Sequence, residues 1–277
     1  MSRVEVDGVR YEVRAGGTGP GLLLLHGFTG RSAMWAPFLP MLRRHMTTIQ
    51  VDLLGHGRSD SPTDPARHAV ERQAADLAAI LRRTRTRTGP VAVLGYSFGA
   101  RVALALALAE PSLVSRLVLE SPSAGIADPD EREARRAGDE ALAGDIERAG
   151  IPAFVARWES LPLFASHAAL PEPTRARLHA ARLRNNPTGL AASLRGAGQG
   201  AMAPMHDRLR GIRVPTLVVA GADDPARPRA EFVAEHVPGA ALATIACAGH
   251  TPHLESPARF RAAVFPFLNV TNPQEIR

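Results

Sequence analysis

Residues 95–101 read Gly95-Tyr96-Ser97-Phe98-Gly99-Ala100-Arg101, and this stretch decides the fold. It follows the apolar run 91–94 and precedes a helix-like segment, which is the strand, sharp turn and helix of a nucleophile elbow. A Cβ at Gly95 or Gly99 would clash where the chain reverses so tightly. The turn forces Ser97 toward strained backbone angles and exposes its hydroxyl. We therefore predict a reactive serine here rather than an ordinary Gly/Ser turn.

Alternating strands and helices extend on both sides of this turn. The run Leu22–Leu25 is continuously apolar, as expected for a strand buried on both faces. The pattern predicts further strands at 4–6, 9–13, 47–53, 91–94, 113–120, 214–220 and 242–246, with helices at 33–44, 70–83, 101–109, 231–236 and 257–268. This order predicts an α/β fold with a mostly parallel, twisted sheet flanked by helices.

The alternation stops between about residues 121 and 210. Helical segments at 130–148, 151–157, 174–184 and 190–194 replace the strands there, and prolines separate them. We therefore predict a core of residues 1–121 and 211–270. A helical cap, or lid, of residues 122–210 is inserted after the strand that ends near Glu120, and residues 271–277 form a frayed tail.

The strongly basic composition has an ordinary explanation. The chain has a formal net charge of +6, and all 33 basic residues are arginine, as a base-composition bias in the coding DNA would produce. Arg82, Arg83, Arg85 and Arg87 cluster, but at the end of a predicted helix, where cations are favoured by the helix dipole. No aromatic residues are interleaved with them, so we predict no nucleic-acid partner. An anionic small substrate remains an alternative reason for the arginines.

Length and apolar runs limit the location and the partners of the chain. Its 277 residues suffice for one domain with an inserted subdomain. No apolar run approaches the roughly 20 residues that cross a bilayer, and the N-terminus lacks the apolar core of a secretory signal. We predict a cytoplasmic protein without a membrane partner, as a monomer or small homo-oligomer. The single cysteine, Cys247, excludes an internal disulfide and is predicted to be a small buried strand residue.

A serine hydroxyl needs a base, and the base needs an acid that orients it. In this topology the partners follow in the order serine, acid, histidine, each just after a strand. The run Gly221-Ala222-Asp223-Asp224 follows one predicted strand, and Ala248-Gly249-His250 follows the last. The predicted triad is therefore Ser97, Asp224 and His250, with Asp223 as the rival acid that the Gly-x-x-Asp spacing disfavours.

The end of the first buried strand supplies a second element of the site. In Leu25-His26-Gly27-Phe28, the backbone N–H of Phe28 can join that of Phe98 in an oxyanion hole. His26 is interpreted as a residue that holds this loop by hydrogen bonds. No His-x-His or His-Glu-x-x-His pattern is present, so we predict no metal. The turn at 95–99 is neither a Walker nor a Rossmann loop, which leaves nucleotide binding without support.

The motifs resemble those of the α/β-hydrolases, and specifically of the menaquinone-pathway 2-succinyl-6-hydroxy-2,4-cyclohexadiene-1-carboxylate (SHCHC) synthases, over nearly the whole chain. Two motifs are shared widely among α/β-hydrolases: Leu25-His26-Gly27-Phe28-x-Gly30 followed by Trp35, and Val51-Asp52-Leu53-x-Gly55-His56-Gly57-x-Ser59. Other motifs are more specific to the synthases. The first two are Gly95-Tyr96-Ser97-x-Gly99-x-Arg101 and the arginines of 132–136. The others are Trp158 before Leu161-Pro162-Leu163-Phe164, and Arg182-Leu183 before Asn186-Pro187-x-Gly189-Leu190-Ala191 and Ser193-Leu194-Arg195-Gly196.

The resemblance implies a substrate with several carboxylates and no cofactor of metal, nucleotide or thiamine type. Carried over by position, Ser97, Asp224 and His250 resemble the family's triad. The family's substrate-binding residues align with Tyr96, Arg101, Arg135, Trp158 and Arg182. Arg136 is an alternative to Arg135. Guanidinium groups suit this role because they pair with carboxylates in a bidentate fashion.

The resemblance further implies a carbon–oxygen lyase of menaquinone biosynthesis. It would eliminate pyruvate from 2-succinyl-5-enolpyruvyl-6-hydroxy-3-cyclohexene-1-carboxylate (SEPHCHC) to give SHCHC, with the triad as general base. A serine hydrolase of the same fold, acting on esters or on carbon–carbon bonds, is the alternative, because it shares the triad. A non-catalytic receptor on this fold is a third possibility, and it would tolerate Ser97→Ala.

Overall fold

An eight-stranded sheet forms the centre of the computed structural model, which describes residues 2–84 and 89–270. Its strands are β1 (Ser2–Val6), β2 (Val9–Gly16), β3 (Gly21–Leu25), β4 (Thr47–Val51), β5 (Val91–Tyr96), β6 (Val114–Glu120), β7 (Thr216–Gly221) and β8 (Ala241–Ile245). They lie in the order β1-β2-β4-β3-β5-β6-β7-β8. The pairings of β2 with β1 and β4 are antiparallel, and all the others are parallel. The predicted α/β class with a mostly parallel sheet is confirmed.

Strand β3 shows why the sheet is covered on both faces. Its four leucines are fully buried, and successive residues point to opposite faces. Leu23 and Leu25 belong to one apolar core, whereas Leu22 and Leu24 belong to the other. A continuous apolar run is therefore needed where a helical layer lies on each side.

Helices supply the two covering layers. The layer on one face contains α2 (Val70–Arg83), α3 (Phe98–Ala109) and α7 (Arg227–His236). On the other face lie α1 (Leu39–His45) and α9 (Pro257–Phe267), while α8 (Pro252–Glu255) is a single turn just before α9. No helix of residues 2–84 and 89–270 is long and apolar enough to cross a membrane. Arg85, Arg87 and the tail 271–277 lie outside the described residues.

Residues 122–210, called the helical insertion below, contain no strand and lie between β6 and β7. They form α4 (Pro129–Glu159), a 3-10 helix (Pro162–Ala169), α5 (Glu172–Arg182) and α6 (Pro187–Ala197). Gly150, with φ 78°, breaks α4 into the two segments that the sequence predicted. The insertion has a small apolar core of its own, formed by α4 and α6 around Ile146, Phe154, Val155 and Leu190.

Two local predictions were wrong. The predicted helix 33–44 is a 3-10 helix (Ser32–Trp35) followed by the separate helix α1. Pro37 and Pro40 lack the backbone N–H that a continuous helix would need for its hydrogen bonds, so the helix is interrupted in this segment. Cys247 is an exposed turn residue with φ 56° beyond the end of β8, not a buried strand residue.

Candidate active site

The turn between β5 and α3 places Ser97 at the carboxyl end of the sheet. Ser97 has φ 50° and ψ −106°, which is a strained conformation for a residue with a side chain. A Cβ on Gly95 would lie 2.4 Å from the carbonyl oxygen of Gly99, and one on Gly99 would lie 2.6 Å from that of His26. Both positions therefore exclude any larger residue, and the backbone N–H of Ser97 is held by the carbonyl of Glu120 at 2.8 Å.

Three side chains from three loops form a hydrogen-bonded series. The Oγ of Ser97 lies 3.0 Å from Nε2 of His250, and Nδ1 of His250 lies 2.9 Å from Oδ2 of Asp224. His250 and Asp224 are each 5% exposed, whereas Asp223 is exposed. The structure thus brings together the three residues predicted as a triad, and it selects Asp224 over Asp223.

Asp224 is arranged to remain charged. Burial alone would raise its pKa, but the hydrogen bond with His250 and the Ala226 N–H, at 2.8 Å from Oδ1, hold the pKa below its usual value. An ionised Asp224 accepts a hydrogen bond from the Nδ1–H of His250, which leaves Nε2 as the acceptor that faces Ser97. This tautomer is the one that can take a proton from the serine.

A second carboxylate, which the sequence reasoning missed, holds the loop that carries His250. Glu255 accepts hydrogen bonds from the N–H of Gly249 at 2.5 Å and from the N–H of Thr251 at 2.9 Å. The Thr251 hydroxyl donates to Glu255 at 2.5 Å and lies 2.7 Å from Nε2 of His167, a residue of the helical insertion. The histidine loop is therefore fixed from both the core and the insertion.

The two residues predicted to supply the oxyanion hole lie at the same site. Phe28 and Phe98 line the cavity beside Ser97, and within the described part of the chain neither N–H donates a hydrogen bond. His26 orients the loop before Phe28, since its Nδ1 lies 2.8 Å from the Gly27 carbonyl and its Nε2 accepts from the Leu53 N–H at 2.9 Å. Complete burial lowers the pKa of His26, in keeping with a neutral ring that holds the loop.

A cavity of about 130 Å³ opens above Ser97, between the sheet and the helical insertion. Its walls combine aromatic rings with cationic side chains. Phe28, Tyr96, Phe98, Trp158 and Phe164 supply the rings, and Arg101, Arg135 and Arg229 supply the cations. Among residues 2–84 and 89–270, no group of three His, Cys, Asp or Glu side chains is placed to hold a metal ion.

Arg101 is the buried cation of this cavity. It is 8% exposed, and its guanidinium donates to the carbonyl of Ala197 at 2.6 Å and lies over the Phe98 ring at 5.1 Å. No carboxylate of the described residues lies within ion-pair distance of it. Burial, and then the charge of Arg135, lower its pKa. A buried cation without an anion is costly, so the site is suited to an anionic ligand.

Of the other two arginines predicted to bind substrate, Arg135 lines the cavity and Arg182 does not. Arg135 lines the cavity and pairs with Asp139 at 2.9 Å, whereas Arg136 is exposed, pairs with Glu133 and is not part of the lining. Arg182 also lies outside the lining: it donates to Glu159 at 2.9 Å and lies 5.2 Å from the centre of the Phe164 ring.

The two aromatic residues predicted to bind substrate, Tyr96 and Trp158, both line the cavity. Trp158 packs against Phe28 and Phe164 with ring centres 5.3 Å and 5.5 Å apart. Tyr96 is buried under the turn, and its ring centre lies 5.6 Å from that of His250.

Arg229 and Gln199 are cavity residues that the sequence reasoning missed. Arg229 lies on α7, five positions after Asp224, and Gln199 follows α6 in the helical insertion. The sequence carried a weak signal for Arg229, because the acid loop leads directly into that helix. It carried none for Gln199, whose position depends on how the insertion packs.

Comparison with known proteins assigns the fold to a class. Residues 20–257 match the family described as the alpha/beta hydrolase fold. The chain therefore belongs to the α/β hydrolases.

Similarity to individual proteins narrows the class. The chain is 39% identical over 265 residues to a Bacillus subtilis (strain 168) protein named "Putative 2-succinyl-6-hydroxy-2,4-cyclohexadiene-1-carboxylate synthase", with 95% of this chain and 96% of that protein covered. A solved structure of MenH from S. aureus superimposes with a TM-score of 0.88 at 32% identity, covering 94% of this chain and 97% of that one. The chain is an enzyme of the SHCHC synthase family within the α/β hydrolases.

A third relative has a different activity. The structure of a thermophilic esterase from Thermogutta terrifontis, with malate bound, has a TM-score of 0.85 at 27% identity and covers 97% of this chain and 98% of that one. The fold is thus common to family members and to esterases, and the side chains around the cavity have to separate the two activities.

Proposed function

We propose that this enzyme eliminates pyruvate from SEPHCHC to give SHCHC in menaquinone biosynthesis. The observation that carries the proposal is Arg101, a buried guanidinium without a carboxylate partner, beside a serine that is hydrogen-bonded to a His–Asp pair. An ester hydrolase needs the serine but not the cation. A substrate with several carboxylates uses both, and the named relatives support this choice.

The triad acts as a base in this proposal. Nε2 of His250 takes the proton from Ser97 Oγ, and Oγ removes the ring proton next to the succinyl carbonyl of the substrate. The electron pair moves through the ring double bond, and the carbon–oxygen bond to the enolpyruvyl group breaks in a 1,4-elimination. The released enolate takes up a proton on its CH2 carbon and becomes pyruvate. No bond forms between Ser97 and the substrate.

Charge that develops on the succinyl carbonyl oxygen is held by the N–H groups of Phe28 and Phe98, which is the role of an oxyanion hole. Arg101 and Arg135 pair with substrate carboxylates, and Tyr96 and Trp158 contact the ring. Arg182, which the resemblance implies as a further carboxylate ligand, exchanges Glu159 for the substrate in this scheme. The helical insertion acts as the cap over the reacting groups. We place the reaction in the cytoplasm.

The test is a direct assay of pyruvate release. Purified enzyme and freshly made SEPHCHC are combined, and pyruvate is measured with lactate dehydrogenase while SHCHC is followed by the absorbance of its diene. We expect both products to appear together at rates far above spontaneous decay. Release of pyruvate no faster than in the buffer control would overturn the proposal.

A serine hydrolase is the second candidate, because the T. terrifontis esterase shares the fold over nearly the whole chain. The two candidates differ in covalent chemistry, since an esterase forms an acyl-serine and the proposed lyase does not. Intact-mass spectrometry after rapid quenching with a short acyl ester, and separately with SEPHCHC, distinguishes them. Faster turnover of the ester than of SEPHCHC, together with an acyl adduct on Ser97, would favour the hydrolase.

A further inference from the structure

Arg229 approaches the cavity from the core rather than from the helical insertion. It lies on the first turn of α7, directly after the loop of Asp224, and it lines the cavity with Ser97 and His250. The residue as a whole is exposed, so its side chain lies at the mouth of the cavity. Partial burial of its guanidinium, and then the charge of Arg135, lower the pKa of Arg229.

Gln199 holds Arg229 at this mouth. Its Oε1 accepts from the Ser123 hydroxyl at 3.0 Å and from a guanidinium nitrogen of Arg229 at 3.4 Å. Because both interactions use the amide oxygen, the NH2 group of Gln199 is left as a donor beside the same cavity. The pair thus combines a cation and a neutral donor, which together match a carboxylate.

Of the three arginines that line the cavity, only Arg135 has an ion-pair partner among the described residues. The charge of Asp139 acts on Arg101, and those of Glu131 and Asp224 act on Arg229, from beyond ion-pair distance. Arg101, Arg135 and Arg229 are close enough that the charge of Arg135 lowers the pKa of both others. Asp139 pairs with Arg135, but in the described part of the chain no carboxylate lies within ion-pair distance of Arg101 or Arg229. Like charges in a partly dry site repel, and bound anions relieve that repulsion.

Arg182 provides the contrast. Glu159 already neutralises it, it stacks on Phe164, and it does not line the cavity. Arg229, like Arg101, comes from the core, and its position on α7 sets it beside the loop of Asp224.

From these contacts we propose that Arg229 and Gln199 form a carboxylate-binding subsite at the mouth of the cavity, additional to Arg101 and Arg135. The subsite makes the enzyme selective for substrates with carboxylates at both the buried and the outer end. This inference rests on the proposed function for the identity of the substrate, but not for the existence of the subsite.

The subsite can be tested without turnover. Tricarballylate, an inert tricarboxylate, and butyrate, a monocarboxylate of similar chain length, are titrated into wild-type enzyme and into Arg229→Ala by calorimetry. We expect tricarballylate to bind about tenfold or more weakly to Arg229→Ala, as expected on losing a charge-assisted hydrogen bond at a partly buried site. Butyrate binding should change less than about twofold, on the scale of exposed charge pairs. Gln199→Leu should weaken tricarballylate by a smaller factor.

Arg261→Ala is the matched control, since Arg261 is an exposed arginine of α9 outside the cavity lining. It removes the same charge and should leave both titrations unchanged. Circular dichroism and a thermal melt establish that each variant is folded. Equal tricarballylate affinity in wild type and Arg229→Ala, or no measurable binding to wild type, overturns the subsite.

The same variants separate this inference from the proposed function. If pyruvate is released from SEPHCHC, Arg229→Ala should raise KM and leave kcat nearly unchanged, because Arg229 binds at the mouth and takes no part in proton transfer. If no pyruvate is released, the proposed reaction fails, and the tricarballylate titrations still decide whether the subsite exists.

Discussion

The two walls of the cavity differ in how completely their polar groups are paired. On the triad side, Ser97, His250 and Asp224 satisfy one another, and Glu255 fixes the loop behind them. On the arginine side (Arg101, Arg135 and Arg229), only Arg135 has an ion-pair partner among the described residues. The polar side chains of the first wall are therefore paired with one another, whereas two of the three cations of the second wall form no ion pair among the described residues.

This difference assigns separate tasks to the two walls. A preorganised series of hydrogen bonds contributes to catalysis because it needs no rearrangement during the reaction. An excess of buried positive charge contributes to selectivity, since an uncharged ester cannot compensate the cost of burying Arg101. In the proposed function, the triad side serves a hydrolase and a lyase equally well, whereas the arginine side determines which substrate binds.

Ser97→Ala should have the largest effect on activity. It should abolish the function of the triad side and leave ligand binding by the arginine side intact. Removal of Oγ deletes the group that takes the substrate proton, so we expect kcat for pyruvate release to fall by about a thousandfold or more. Binding of tricarballylate should stay within about twofold of wild type, because the arginine side is intact. The measurements are the coupled pyruvate assay and calorimetry on the same preparation.

Loss of tricarballylate binding in Ser97→Ala would show that the two walls are not independent. Pyruvate release within tenfold of the wild-type rate would instead mean that another group acts as the base. Glu110→Ala, a change at a residue outside the cavity lining, serves as a control for preparation and assay.

Arg101→Met is expected to have the next largest effect, on the other wall. Met retains much of the volume and removes the charge, so a substrate carboxylate loses a buried partner. We expect kcat/KM to fall by about 30-fold to 1,000-fold, equivalent to about 2–4 kcal/mol. The free energy of unfolding should change by less than about 1 kcal/mol, because an apolar replacement of a buried charge is often neutral or stabilising.

The pyruvate assay and urea unfolding check these two values separately. Arg261→Met is the matched control, as its side chain is exposed on α9. A loss in kcat/KM below about 1 kcal/mol, the value for an exposed ion pair, would contradict a buried contact with the substrate.

The sequence predicted the triad side far better than the arginine side. Ser97, Asp224 and His250 each follow a strand, and strand ends of a parallel sheet meet at one edge, so local pattern and topology sufficed to place them. The same local reasoning failed at 33–44, where Pro37 and Pro40 interrupt an otherwise helical pattern.

The arginine side depends on how the helical insertion packs, which local pattern does not encode. Arg135 and Arg136 are neighbours in sequence, yet only Arg135 lines the cavity. Arg182 faces Glu159 from the adjoining helix, and Gln199 meets Arg229 from a different part of the fold. Each outcome is set by contacts between elements distant in sequence.

The smallest expected effect concerns a contact between the helical insertion and the loop of His250, that of His167 with Thr251. Burial, and then the charge of Arg182, lower the pKa of His167 to about 4, while the carboxylate of Glu255 opposes this shift. The unfolded chain binds the proton of this histidine more readily than the folded chain does. Its contribution to stability is therefore complete above about pH 6.5 and is lost as the pH falls toward about pH 4.

Urea unfolding at several pH values measures this contribution. The free energy of unfolding of wild type should fall by about 1–2 kcal/mol more than that of His167→Gln between the two ends of this range. Glutamine is chosen because its amide N–H can still donate a hydrogen bond to the Thr251 hydroxyl oxygen. The Thr251 hydroxyl itself donates a hydrogen bond to Glu255. The comparison variant is His45→Gln, the same change of residue type on α1, away from the cavity. Parallel slopes for wild type and His167→Gln would mean that the insertion is held to the histidine loop by contacts that do not depend on the protonation of His167.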